Sequence, residues 1–151
     1  MRRPNERETA ELAADAEVRA VYEELAQRPV ERNCVRLKEC CHFKLTGRTP
    51  LLTKGEAMVA ARALRRTGRT RLPEAAGGAC PMLESATGNC LIYESRPFGC
   101  RTHFCAAAGG PYARSEVIDL IRRLERVDAT LGGDGVHKIE EAVRGALADL
   151  G

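Results

Sequence analysis

The sequence predicts a mainly α domain in which a small, metal-stapled cysteine cluster, with irregular loops and a short β element, is flanked by an N-terminal helix and a C-terminal helical hairpin. Three observations predict it. Apolar residues recur at helical spacing over 6–27, from Thr53 to Gly68, and over 115–150. All seven cysteines fall in the two intervals between these stretches, as Cys34, Cys40 and Cys41 and then Cys80, Cys90, Cys100 and Cys105. Both intervals are interrupted by Gly, Pro and short polar residues, which mark irregular backbone. A chain of 151 residues, 44% hydrophobic, suits one domain spanning 1–151, with its cysteine-cluster core over 30–112.

Helix 6–27 is capped by Asn5, with Glu8 three residues on, and Val18, Val21, Tyr22 and Leu25 form its stripe until Pro29 stops it. The second helix opens on the capping box Thr53/Glu56, carries Ala57, Met58, Ala61 and Leu64 on one face, and ends at Gly68. The linker RTRLPEAAGGAC follows. In the second cysteine run, Gly88-Asn89 reads as a turn, Cys90-Leu91-Ile92-Tyr93 as a short strand, and Arg96-Pro97 as the break after it. Ser115 is the expected cap of a helix bearing Val117, Leu120, Ile121, Leu124, Val127 and Leu131, ended by Gly132-Gly133. A last helix is expected from about Gly135, with Val136, Ile139, Val143, Leu147 and Leu150 on one face. Joined by GGDG, the two make a helical hairpin that covers the cysteine region or offers a surface to a second copy or a protein partner.

Composition sets limits on function. Aromatics are 4% and Trp is absent, so the core must be built of Leu, Ile, Val and Ala. A net charge of +3 on a chain that is 30% charged argues against wholesale binding of nucleic acid or anionic membrane. The basic run Arg62, Arg65, Arg66, Arg69 and Arg71 has no interleaved aromatics and reads as a solvated helix end, where cations are favoured. No 18-residue apolar stretch occurs, and the charged opening MRRPNERETAELAADAE is unlike an export signal. The expected compartment is the reducing cytoplasm, where clustered thiols hold metal more often than they pair.

Thiolates brought together repel unless a cation sits between them, so the clustering points to a metal. The spacings are C-x5-C-C, then C-x9-C-x9-C-x4-C, with none of the C-x-x-C knuckles of a zinc ribbon or finger. Seven thiols also exceed the needs of one mononuclear ion. A zinc ion, an iron ion and an iron–sulfur cluster therefore all remain open as the cofactor, with Cys34, Cys40, Cys41, Cys80, Cys90, Cys100 and Cys105 as candidate ligands. His103, between Cys100 and Cys105, is a further candidate, whereas His42 reads as a loop histidine. Arg96 and Arg101 flank Cys100, where a polythiolate site needs positive charge. Phosphate loops, G-x-S-x-G, H-E-x-x-H and C-x3-C-x2-C are all absent, so no catalytic residue is assigned.

Three elements then carry a family resemblance. Cys80-Pro81-Met82-Leu83, Cys90-Leu91-Ile92-Tyr93, and Arg96-Pro97 before Cys100-Arg101 resemble, in order, the C-P-x-L, C-x-I-Y and R-P-x-x-C-R elements of the CxxCxxCC family of small bacterial cysteine-cluster proteins. The capped helix from Thr53 resembles the family's L-T-x-x-E helix, so the likeness spans roughly Cys34 to Cys105. It departs at Leu37, which stands where the second cysteine of the first run would be and leaves seven thiols of a nominal eight. The resemblance implies zinc or iron chelation. It leaves the biochemical role open, since relatives range from flagellin lysine methylases to proteins called iron–sulfur oxidoreductases.

Overall fold

The computed structural model describes residues 3, 5–28, 49–73, 80–84, 87, 89–102 and 113–150. Within them run α1 (Glu6–Gln27), β1 (Leu51–Leu52), α2 (Lys54–Arg66), a 3-10 turn (Tyr93–Ser95), α3 (Phe98–Thr102), α4 (Arg114–Thr130), β2 (His137–Lys138) and α5 (Ile139–Leu150). Helix makes up 67% of this, with one two-stranded sheet, so the class is mainly α.

Helix α2 is the centre of the packing. Its N-terminus is fixed by the Thr53/Glu56 box, and Gly68, at φ +90°, takes the left-handed position after its C-cap, as the sequence predicts. Because α2 is buried on two sides, it serves two apolar clusters. Leu52, Ala57, Met58, Ala60, Ala61 and Leu64 meet Ile139, Val143, Ala146 and Leu147 of α5, and Cys80, Met82 and Ile92 complete that cluster. On the other side Val59 joins Val18, Val21, Tyr22 and Leu25 of α1, Phe98 of α3, and Val117, Leu120, Leu124 and Val127 of α4. Gly55 permits the close crossing there, since a Cβ on it would lie 2.7 Å from Val127 Cγ1 and 3.0 Å from Val18 Cγ2.

Helix α1 follows its predicted bounds, with Glu8 N–H donating to Asn5 Oδ1 at 2.8 Å and Glu8 accepting Asn5 N–H at 3.0 Å. Its polar flank is tied to α4 by Arg28 on Asp119 and by Arg123 on Glu17 and Glu24. The basic run is only partly free: Arg62 meets Asp15 at 3.3 Å, and Arg65 donates to the Leu150 carbonyl at 3.2 Å.

Several sequence expectations change in detail. Cys90–Tyr93 is not a strand; a single antiparallel bridge joins Leu83 to Cys90, and the chain then turns into the 3-10 segment. The ladder is not extended, because residues 80–83 are already in the turn closed by Leu83 N–H on the Cys80 carbonyl. The regular sheet lies elsewhere, with Leu51 opposite Lys138 and Leu52 opposite His137. That pairing holds 137–138 extended and delays α5 to Ile139. Helix α4 starts earlier than Ser115 predicts, with Ala113 at the cap and Glu116 accepting its N–H at 3.4 Å. Helices α4 and α5 each pack more extensively on α2 than on one another, so the apolar stripes of the expected hairpin face the domain's own core. Of the two roles expected for that hairpin, α5 does cover the Cys80 region.

A buried carboxylate joins these parts. Asp128, near the end of α4, accepts Lys54 N–H at 2.8 Å and Gly135 N–H at 3.0 Å. It thus holds the start of α2 and the loop before β2 in one clamp, and negative charge at α2's N-terminus is favourable. Gly133 is required beside it, because a Cβ there would sit 2.4 Å from Asp128 Oδ1.

Candidate metal centre

A turn at Cys80 and a bridge at Cys90 set the backbone on which these two cysteines stand. Leu83 N–H closes a turn on the Cys80 carbonyl at 3.0 Å, and Leu83 stands opposite Cys90. Bonds from Glu84 N–H to the Asn89 carbonyl and from Leu91 N–H to the Met82 carbonyl, both 2.8 Å, flank that pair. This is the close, non-hydrogen-bonded type of antiparallel pair, whose side chains share a face. Cys80 is buried, and Cys90 packs on the same cluster with Leu83 and Leu91. An uncompensated thiolate in such apolar surroundings is disfavoured, so this environment suits a thiol that is either neutral or bound to a cation.

Cys100 is presented differently, on the single turn of helix α3. Pro97 precedes it, and Cys100 and Arg101 N–H both donate to the Pro97 carbonyl, at 3.0 and 3.1 Å. Cys100 lines a cavity of about 510 Å³ together with Pro50, Glu56, Phe98 and Val117, between β1, α3 and α4.

The flanking arginines have defined places. Arg101 donates from Nε to the Arg96 carbonyl and from Nη2 to the Glu94 carbonyl, both at 2.7 Å, and lies 4.2 Å over the Tyr22 ring. Burial pulls its guanidinium below the ordinary arginine range, and Cys100 is among the groups whose charge acts on it. Arg96 donates to the Tyr93 carbonyl at 3.0 Å and stacks 4.0 Å over the Tyr93 ring. Arg101 is therefore the cation in electrostatic contact with a candidate ligand, while Arg96 has turned to its own 3-10 segment.

Glu56, which the sequence marks only as the last residue of a capping box, is 2% exposed and receives four hydrogen bonds. Oε2 accepts from Thr53 N–H at 3.1 Å and Thr53 Oγ1 at 3.2 Å, and Oε1 accepts from Phe98 N–H at 2.7 Å and Tyr22 Oη at 3.0 Å. Burial raises the Glu56 carboxyl above its ordinary value, opposed by the Phe98 and Thr53 bonds. Tyr22 is pushed well above the usual phenol range, first by burial and then by Glu56. The one sequence signal for this hub is a phenol standing among the apolar residues of the α1 stripe.

Cys34, Cys40, Cys41, Cys105 and His103 lie outside the described residues, as do His42 and the Gly88 half of the expected turn. Among the described residues no three Cys, His, Asp or Glu side chains converge as a metal-holding group. The described part of the donor set is thus two cysteines packed on one apolar cluster and one on a helical turn, all soft sulfur donors of the kind zinc and iron accept. No described helix is long and apolar enough to cross a membrane.

No curated protein and no solved structure matches the chain. A family model does match, over residues 5–116, and its description is "CxxCxxCC: Putative zinc- or iron-chelating domain". The match reaches back through α1, well beyond the cysteine runs, so the helix that supplies Tyr22 is part of the family's unit along with the thiols. The chain belongs to the CxxCxxCC family.

Proposed function

We propose that the domain chelates zinc or iron with ligands drawn from Cys80, Cys90, Cys100, Cys34, Cys40, Cys41 and Cys105, with His103 as an additional candidate donor. The observation that carries this reading is the placement of Cys80 and Cys90 against one core cluster, with Cys90 bridged to Leu83, the residue that closes the turn begun at Cys80. Family membership, with its chelating description, supports the same reading. Arg101, bonded to the Arg96 and Glu94 carbonyls, supplies positive charge next to Cys100 in the chain. A bound ion neutralises the clustered thiolates and ties the loop regions to the helices. The compartment that fits such a site is the reducing cytoplasm.

Surplus thiols favour one second reading, an iron–sulfur cluster serving redox chemistry or a methyltransferase component. The two part on a single measurement. Protein purified without oxygen is analysed for zinc, iron and acid-labile sulfide, and its ultraviolet–visible spectrum is recorded. A colourless protein with stoichiometric zinc supports the mononuclear reading; sulfide with sulfur-to-iron charge-transfer absorbance supports the cluster.

A further inference from the structure

The Glu56 carboxylate is where two helix starts meet. One oxygen closes the N-terminus of α2 through Thr53, and the other takes the first N–H of α3 and the hydroxyl of Tyr22. Cys100 stands two residues after that N–H, inside the same helical turn. A helix of five residues has too few internal bonds to fix its own place, so external contacts must set it. Those contacts converge on Glu56. It holds Phe98 N–H at 2.7 Å, it holds Tyr22, and the Tyr22 ring carries the Arg101 guanidinium.

We propose that Glu56 is a positioning residue for the Cys100 thiol, acting through Phe98 N–H and Tyr22; this rests on the reading above that Cys100 is a metal ligand. The role requires a carboxylate. Each oxygen accepts from two donors, whereas an amide has one accepting end and one donating end, so a glutamine must turn its NH2 toward either Thr53 or the Phe98–Tyr22 pair. The start of α2 has a second clamp in Asp128 on Lys54 N–H. Among the described contacts, Phe98 N–H has only Glu56. The loss therefore falls on α3.

The test uses the full chain and zinc(II), with affinity read by competition against a chromophoric chelator. Outer-sphere partners of metal ligands change affinity by about 10- to 100-fold, and Glu56→Gln is expected to weaken zinc by that amount. Tyr22→Phe, which removes one donor and keeps the ring under Arg101, weakens it less and carries the test if Glu56→Gln does not fold. In a Cys100→Ser background Glu56→Gln has no further effect, because it acts through Cys100. Ala14→Gly, which weakens α1 more than two turns before Tyr22, lowers the melting temperature and leaves the zinc affinity of the folded protein unchanged. Wild-type protein that binds zinc, beside Glu56→Gln or a folded Tyr22→Phe that binds it equally well, overturns the inference alone. So does an undiminished Glu56→Gln loss in the Cys100→Ser background. Wild-type protein that binds no metal overturns the function proposed above and this inference with it.

Discussion

At the scale of single residues, one buried carboxylate and one surface pair each give a measurable outcome. Asp128 serves two backbone N–H groups, at 2.8 and 3.0 Å, and charge-assisted bonds of this kind are worth about 1.5–3 kcal/mol each. Asp128→Ala is expected to cost about 3 kcal/mol in denaturant unfolding, while Asp128→Asn, which keeps one acceptor, costs less. His137 is paired on the surface, with Nε2 2.6 Å from Asp134 Oδ1, and that bond raises its pKa above the ordinary 6.5. A histidine with a raised folded pKa contributes stability that is fully present below its unfolded value and is lost as pH rises through the folded one. Proton NMR should therefore place the His137 midpoint above 6.5, and Asp134→Asn should bring it back toward that value; a midpoint that stays in place removes Asp134 as the cause. Neither Asp128 nor the four-bond role of Glu56 was legible in the sequence. Both are short-range spellings, a charged residue late in a helix and the last letter of a T-x-x-E box, whose burial depends on partners 74 and 42 residues away.

At the scale of elements, much was legible because the signals were local. Asn5 and Glu8, Thr53 and Glu56, and Gly68 and Gly132 at φ +90° and +73° fix helix ends using only their immediate neighbours. The failures mix local and long-range causes, with Ala113 in place of Ser115 at the cap of α4 a local one. His137 and Lys138 look like the opening of a helix and are held extended by Leu51 and Leu52; Cys90–Tyr93 looks like a strand, but Cys90 is bridged to Leu83 and the chain then turns into the 3-10 segment. Packing around α2 supplies the predictions at this scale. Gly55→Ala drives a methyl group into Val127 and Val18, both stiff β-branched side chains, and should cost about 1–3 kcal/mol. Leu64→Ala empties a fully buried position at the other end of α2, with an expected loss of about 2–5 kcal/mol. If Gly55→Ala proves neutral by thermal or denaturant unfolding, the close three-helix crossing is not a constraint on the fold.

At the scale of the whole molecule, the helices α1, α2, α4 and α5 build two cores, and the cysteine segments are hung on them at separate points. Cys80 and Cys90 join the α5 side of α2, while Cys100 is held from the α1 and α4 side by way of Phe98. Metal bound at either point would therefore tie a cysteine segment to the core on that side of α2. A structural zinc site contributes about 10–16 kcal/mol, against a total of about 5–15 kcal/mol for a typical domain, so a chelated ion would dominate the stability of the linking segments. The sequence could show that the thiols cluster and that they belong to this family, because both are written in spacing and in short motifs. It could not show which thiols share an ion, since C-x9-C-x9-C-x4-C lacks the knuckle geometry that would pair them locally. The measurement that tests the central claim most directly is metal content per chain in anaerobically purified protein, repeated for Cys80→Ser, Cys90→Ser and Cys100→Ser. Bound zinc or iron in stoichiometric amount, lowered in each variant and released by a chelator with loss of protease resistance in 80–102, is the expected result. A metal-free wild type that keeps the same circular dichroism and protease resistance with and without chelator would contradict it.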